Sequence, residues 1–162
     1  MNAAATLTVV LALLGSALIG GVFFAFSSFV MTALGRLPSS EGMAAMQSIN
    51  LVVLNRSFLG AFMGTALVSL LAAVLAGVAW SAPAASFVIA GALSYLVGTF
   101  LVTGIGNVPL NERLAEAAAD DPDAIPVWVD YLDRWTRLNT VRTAAAVVAV
   151  VLLIAGLLLR GA

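Results

Sequence analysis

No charged side chain occurs from Met1 to Gly35, from Ser57 to Asn111, or from Thr143 to Leu159. Each of these stretches is long enough to cross a hydrocarbon core as a helix, and the second is long enough to cross it twice. Soluble domains carry charge on about a quarter of their residues, whereas this 162-residue chain has 9% charged and 62% hydrophobic residues. So little polar surface cannot cover that much apolar surface in water. The chain is therefore expected to be an all-α integral membrane four-helix bundle.

The span limits follow from the breakers and charges. Thr6 to Leu34 is almost wholly apolar and ends at Arg36. It has no basic n-region and is too long for a signal-peptide core, so it reads as a span at about 6–34 rather than a cleaved leader. Trp80-Ser81-Ala82-Pro83 interrupts the second run, because Pro cannot continue a helix interior and Trp favours the interface. That gives spans at 57–80 and 84–106 joined by a tight turn. The last span is 143–159, closed by Arg160, and residues 1–162 read as one four-span domain.

The two long connections, 35–55 and 107–142, fall on one side of such a bundle and carry Arg36, Arg56, Arg113, Arg134, Arg137 and Arg142; only Arg160 lies on the other side. By the positive-inside rule both connections are cytoplasmic and both termini outside, in the cell inner membrane. Ser39-Ser40-Glu41 is a helix-capping signal, and Met43, Met46, Asn50 and Val53 follow at helical spacing, as a helical extension of the second span. Pro126 is placed to open a helix that runs into the last span, about 50 Å long and standing out of the bilayer by several turns. Asp130/Arg134 and Asp133/Arg137 are i,i+4 pairs on its exposed part. Helices thus extend beyond the bilayer on one side.

Composition excludes several chemistries. Without Cys or His there is no disulfide, thiol nucleophile, thiolate metal site, His-ligated haem or di-iron centre, or Ser-His-Asp triad. The carboxylates lie in an exposed acidic turn and on a helix face, so no metal site and no cofactor is expected. A net charge of −1 argues against nucleic acid. No Asp or Glu lies inside a span, which disfavours a proton-coupled transporter. Membrane lipids are the certain neighbours. Small residues four apart (Ala17, Gly21, Ala25; Gly60, Gly64; Ser94, Gly98) allow close helix approach, within the bundle or in a homo-oligomer.

The remaining polar residues converge on one membrane boundary. Thr99, Thr103, Asn107 and Asn111 are four apart and form one stripe at the end of the third span, which Gly104, Gly106 and Pro109 make irregular. Trp135, Asn139 and Arg142 fall within about 60° on a helix, and Trp128 and Tyr131 extend that face. Asn50 and Arg56 approach from the first connection. On the first span Phe23, Phe24, Phe26 and Phe29 surround Ser27 and Ser28. Two readings stand at this point. One is a pocket with an aromatic wall and an Asn/Arg floor, suited to a flat apolar molecule with one or two oxygen atoms that arrives from the bilayer. The other is a set of polar caps and interfacial anchors that close the bundle.

Four segments occur in a telling order: Gly21-Val-Phe-Phe-Ala-Phe-Ser-Ser-Phe-Val-Met31, Met46-Gln-Ser-Ile-Asn50, Gly98-Thr-Phe-Leu-Val-Thr103 with Asn107-Val-Pro-Leu-Asn111, and Trp135-Thr-Arg-Leu-Asn-Thr-Val-Arg-Thr143. In this order and spacing, over nearly the whole chain, they resemble the anthrone-oxygenase-like family of small four-span membrane proteins. The resemblance implies oxidation of an anthrone-like, apolar phenolic or quinone-like substrate, without a metal or flavin. It implies Arg142 as stabiliser of an enolate-like anion, Asn139, Asn107 and Asn111 as hydrogen-bond donors, and Trp135 stacked on the ring, with Thr103, Asn50, Phe26 and Ser27 lining the substrate. Many family members have His where this chain has Thr140, so a proton-abstracting imidazole is missing. The alternative function is a non-catalytic membrane protein that binds a lipid or quinone, or a partner protein.

Overall fold

The computed structural model describes residues 3–160, and among them there are helices and no strands. Four helices are long and apolar enough to cross a membrane: α1 (Ala3–Leu34), α3 (Arg56–Ala79), α4 (Ala82–Ala115) and α5, whose apolar unit is Pro122–Leu159 with the α-helix itself at Ile125–Leu159. A shorter helix, α2 (Ser39–Val52), lies in the first connection. The fold is the all-α membrane helical bundle that the uncharged runs imply. Around the ring, α1 packs on α3 and α5, and α4 packs on α3 and α5. Leu7, Leu14, Leu18, Leu67 and Val78 point outward, as lipid-facing positions do.

Lipid is as apolar as leucine, so helix association here depends on close packing and on hydrogen bonds between helices. At the end of the bundle that holds the termini, the core is Val9, Ala12, Ala72, Ala76, Val88 and Leu153. A Cβ at Gly156 would lie 2.6 Å from Val88 Cγ2, so only glycine lets α5 reach α4 there. Ser94 and Gly98 do similar work at mid-bundle. Ser94 Oγ donates to the Ala145 carbonyl (2.8 Å), and Gly98 faces the Ala145 methyl. The other small-residue rows differ: a Cβ at Gly21, Gly60 or Gly64 would meet nothing, so these glycines face outward. The middle core is Ile19, Phe23, Phe62, Ala66, Tyr95 and Ala149. The third core, at the connection end, is built from large residues, among them Met43, Met46, Leu114, Trp128, Tyr131 and Trp135.

Three readings of the connections change. First, α2 is not an extension of the second span. The chain breaks between Val52 and Arg56, and the Asn55 side chain caps α3 by accepting from the Phe58 N–H (3.0 Å). Second, the serine cap is not made: Pro38 is the cap residue of α2 and Ser39 its first helical residue. Third, the helix that carries the third span runs past Gly106 to Ala115, through two π-helical segments at Ser94–Leu101 and Thr103–Asn107. A proline ring clashes with the carbonyl four residues back in a regular helix. The widened turns before Pro109 make room for it. A third π segment, Phe26–Val30, interrupts α1.

The helix α5 opens with Pro126 in its first turn and runs 35 residues, about 50 Å. Asp130 pairs with Arg134 and also with Arg113, and Asp133 pairs with Arg137, all on the exposed face.

Candidate functional site: a polar zipper beside an apolar cavity

The α4 stripe lies along one face of α5 and meets it four times. Thr99 Oγ1 donates to the Arg142 carbonyl (3.1 Å), and Thr103 Oγ1 accepts from the Arg142 guanidinium (3.1 Å). Asn107 Nδ2 donates to the Trp135 carbonyl (3.2 Å). Asn111 Oδ1 accepts from both Trp135 Nε1 and Tyr131 OH, each at 2.8 Å. The spacing of four residues stays in register over this length because the turns of α4 are widened.

Two further elements close the cluster. From α1, the Phe23 carbonyl and Ser27 Oγ accept from Asn139 Nδ2, both at 2.7 Å, and the remaining Asn139 Oδ1 accepts from Arg142 (2.7 Å). From α2, Asn50 Nδ2 donates to Tyr131 OH (3.2 Å), and Gln47 Nε2 donates to the Leu114 and Ala117 carbonyls at the end of α4 (2.8 Å each).

Against this network lies a cavity of about 200 Å³. Its walls are mostly apolar: Val22, Phe23 and Phe26 from α1, Met46 and Ile49 from α2, Phe58 and Phe62 from α3, and Trp135 from α5. Phe26 and Trp135 pack with ring centroids 5.7 Å apart. The polar residues lining it are Asn50, Thr103, Asn111 and Arg142. Leu54, Leu59 and Met63 line its edge and are 63%, 37% and 52% exposed. The mouth therefore opens sideways, at the break between α2 and α3, where the bundle surface is apolar.

The dominant charge is Arg142. It is buried, at 3% exposure, and sits over the Phe23 ring at 4.0 Å and beside the Trp135 ring at 5.1 Å. Its hydrogen-bond partners, Thr103 and Asn139, are neutral, and its Nε has none. Among the described residues every ion pair is solvent-exposed and involves Asp130 or Asp133 of α5, and none involves Arg142. Cation–π contact offsets part of the desolvation of a buried guanidinium, about 2 kcal/mol or somewhat more. An unpaired buried ion costs several kcal/mol. No group of described His, Cys, Asp or Glu residues is arranged to hold a metal ion.

The structure thus brings together Arg142, Asn111, Trp135, Thr103, Asn50 and Phe26 around one cavity. Asn107, Asn139 and Ser27 do not line it. Asn107 and Asn139 are buried between helices and hold α4 and α1 to α5, while Ser27 receives the Asn139 amide. Thr140 is exposed, donates to Ser27 Oγ (3.1 Å) or the Thr136 carbonyl (2.9 Å), and also stays clear of the cavity. Arg56 is exposed, and Phe24 and Phe29 point outward at 60% and 61% exposure. Sequence reasoning missed Phe58 and Phe62 as walls and Gln47 as the clamp on α4, and it placed Tyr131 on the right face without its role as the hub between α2, α4 and α5. For Gln47 the available signal was a second amide one turn from Asn50.

No curated protein and no solved structure matches the chain. A sequence model described as anthrone oxygenase matches residues 51–152. The matched segment carries the α4 stripe, the α5 face and the Phe58/Phe62 wall, and stops short of Phe23, Phe26 and Asn50. It covers more than half of the chain and agrees with the resemblance read from the ordered motifs: the chain belongs to the anthrone oxygenase family.

Proposed function

We propose that the protein is a membrane-embedded oxygenase that oxidises an apolar phenolic or quinone-like ring substrate in this cavity, without a cofactor. The observation that carries the reading is an aromatic-walled cavity with an exposed apolar rim, lined by the buried Arg142 and by Asn111. A flat substrate enters between α2 and α3, packs against the Phe26 and Trp135 rings, and points its oxygen at Arg142 and Asn111. Asn139 and Asn107 fix the helices that carry those donors. For an anthrone, the ring CH₂ loses its two hydrogens and gains one oxygen. Dioxygen supplies that oxygen, and its other atom leaves as water with the two hydrogens. Donors aimed at the substrate oxygen stabilise the enolate-like charge that builds up before oxygen adds. Six of the seven arginines lie at or beyond the connection end of the bundle, so we place that end in the cytoplasm and both termini outside.

A second reading, a membrane protein that binds a quinone or lipid without turning it over, draws on the absence of an ionisable proton acceptor among the cavity residues. Oxygen uptake separates the two. Purified protein in an uncharged detergent, given anthrone, should consume oxygen and form the quinone in equal amounts. Binding without oxygen uptake across a panel of anthrones and hydroquinones would leave only the second reading.

A further inference from the structure

We propose that the cavity takes its ligand as an aromatic oxyanion, a phenolate or ring enolate ionised before it arrives, which supplies the counter-charge that Arg142 lacks. This deepens the reading of the cavity as the substrate site and rests on it.

The first support is the uncompensated charge. Arg142 lines the cavity with its Nε unpartnered, and its other contacts are two neutral side chains and two rings. Buried charges are ordinarily paired, and the cavity is the space left for the partner.

The second support is the direction of the hydrogen bonds. The indole N–H only donates, so the atom of Asn111 that meets Trp135 Nε1 is its oxygen. Tyr131 OH donates to the same oxygen and accepts from Asn50 Nδ2. The Asn111 NH₂ group is thereby left over on a residue that lines the cavity. Thr103 is already committed, accepting from Arg142 and donating to the Thr99 carbonyl (2.7 Å). What Arg142 and Asn111 offer a ligand is therefore N–H donors.

The third support is the absence of a base. No Asp or Glu lines the cavity, and the chain has no His. A ligand proton has no side chain to go to, so it is lost to water at the membrane boundary before binding. The walls of Phe26, Phe58, Phe62 and Trp135 select a ring rather than a small inorganic anion.

The test is equilibrium binding to the intact protein in dodecyl maltoside, with no turnover required. The probes are 4-nitro-1-naphthol, whose anion has its own absorption band, and its O-methyl ether. The naphthol should bind at least about tenfold more tightly than the ether. The bound dye should show the anion band at a pH where the same dye in empty micelles is neutral. Arg142→Gln should abolish both the preference and the band. If that variant does not fold, the naphthol–ether comparison on the wild-type protein decides alone. Equal affinity for the two probes, with no dependence on pH, would overturn the assignment. So would displacement of bound material by oleate but not by the naphtholate, which would make the anion a lipid. Charge-dependent binding with no oxygen uptake from any substrate would sink the oxygenase reading and leave this one standing. Anthrone oxidation alongside equal binding of the ether would do the reverse.

Discussion

The two ends of the bundle solve the same packing problem with different side chains. At the terminus end, Ala12, Ala72, Ala76 and Ala84 are fully buried, and Gly156 brings helices together with no room for a methyl group. At the connection end, Trp128, Tyr131, Trp135, Asn107, Asn139 and Arg142 are buried instead, and a cavity remains among them. The π segments that can be described lie from the middle of the bundle toward this second end. Small residues suffice to hold helices together in lipid. Large polar ones, set on widened turns, cost folding free energy unless every partner is supplied. Their concentration at one end, around a cavity, supports the proposed ligand site there.

Each end has one arginine over an aromatic ring. Arg160 lies 5.4 Å from the Trp80 ring and donates to Thr6, at the membrane edge. Arg142 lies deep between helices. The first is an interfacial anchor whose head can reach water, and the second has no such exit.

Substitutions can break or sharpen this contrast. The largest stability effect is expected at the terminus end. Gly156→Leu forces a side chain against Val88 and the Ala84 carbonyl and should destabilise by about 1–3 kcal/mol or more. The drop should be visible as a lower unfolding temperature in detergent, while ligand affinity per folded molecule stays unchanged. An equal loss of affinity would mean that the two ends are not separable. Next is Tyr131→Phe, which deletes the hydroxyl between Asn50 and Asn111. It should cost about 1 kcal/mol of stability and also weaken naphtholate binding several-fold, because Asn111 loses one of the two donors that orient it. Unchanged affinity would show that Trp135 alone sets the amide. The smallest effect is Asp133→Asn. Its pair with Arg137 is exposed, and a shift of a few tenths of a kcal/mol with wild-type oxygen uptake is expected.

The sequence made the spans legible because charge and proline punctuate them, and the Thr99–Thr103–Asn107–Asn111 stripe legible because its period matches a helix face. It did not distinguish wall from surface. In lipid the outer face of a helix is as apolar as the inner one, so nothing in the pattern told Phe58 and Phe62, which line the cavity, from Phe24 and Phe29, which face outward. The separate identity of α2 was hidden for a related reason: Leu51-Val-Val-Leu54 is apolar up to Asn55, and nothing in those residues signals the break that the Asn55 cap on α3 makes. The division of labour among the asparagines was equally invisible. Asn111 lines the cavity while Asn107 and Asn139 tie helices together, and that follows from three-dimensional register rather than spacing.

The most direct test of the claim that the connection end is the working end is oxygen uptake with anthrone, measured side by side for the wild-type protein, Arg142→Gln and Arg160→Gln. Loss of roughly a hundredfold in Arg142→Gln, as for removal of a donor to a developing oxyanion, with Arg160→Gln close to wild type, is the predicted result. Equal losses in both variants, or full activity in Arg142→Gln, would contradict it.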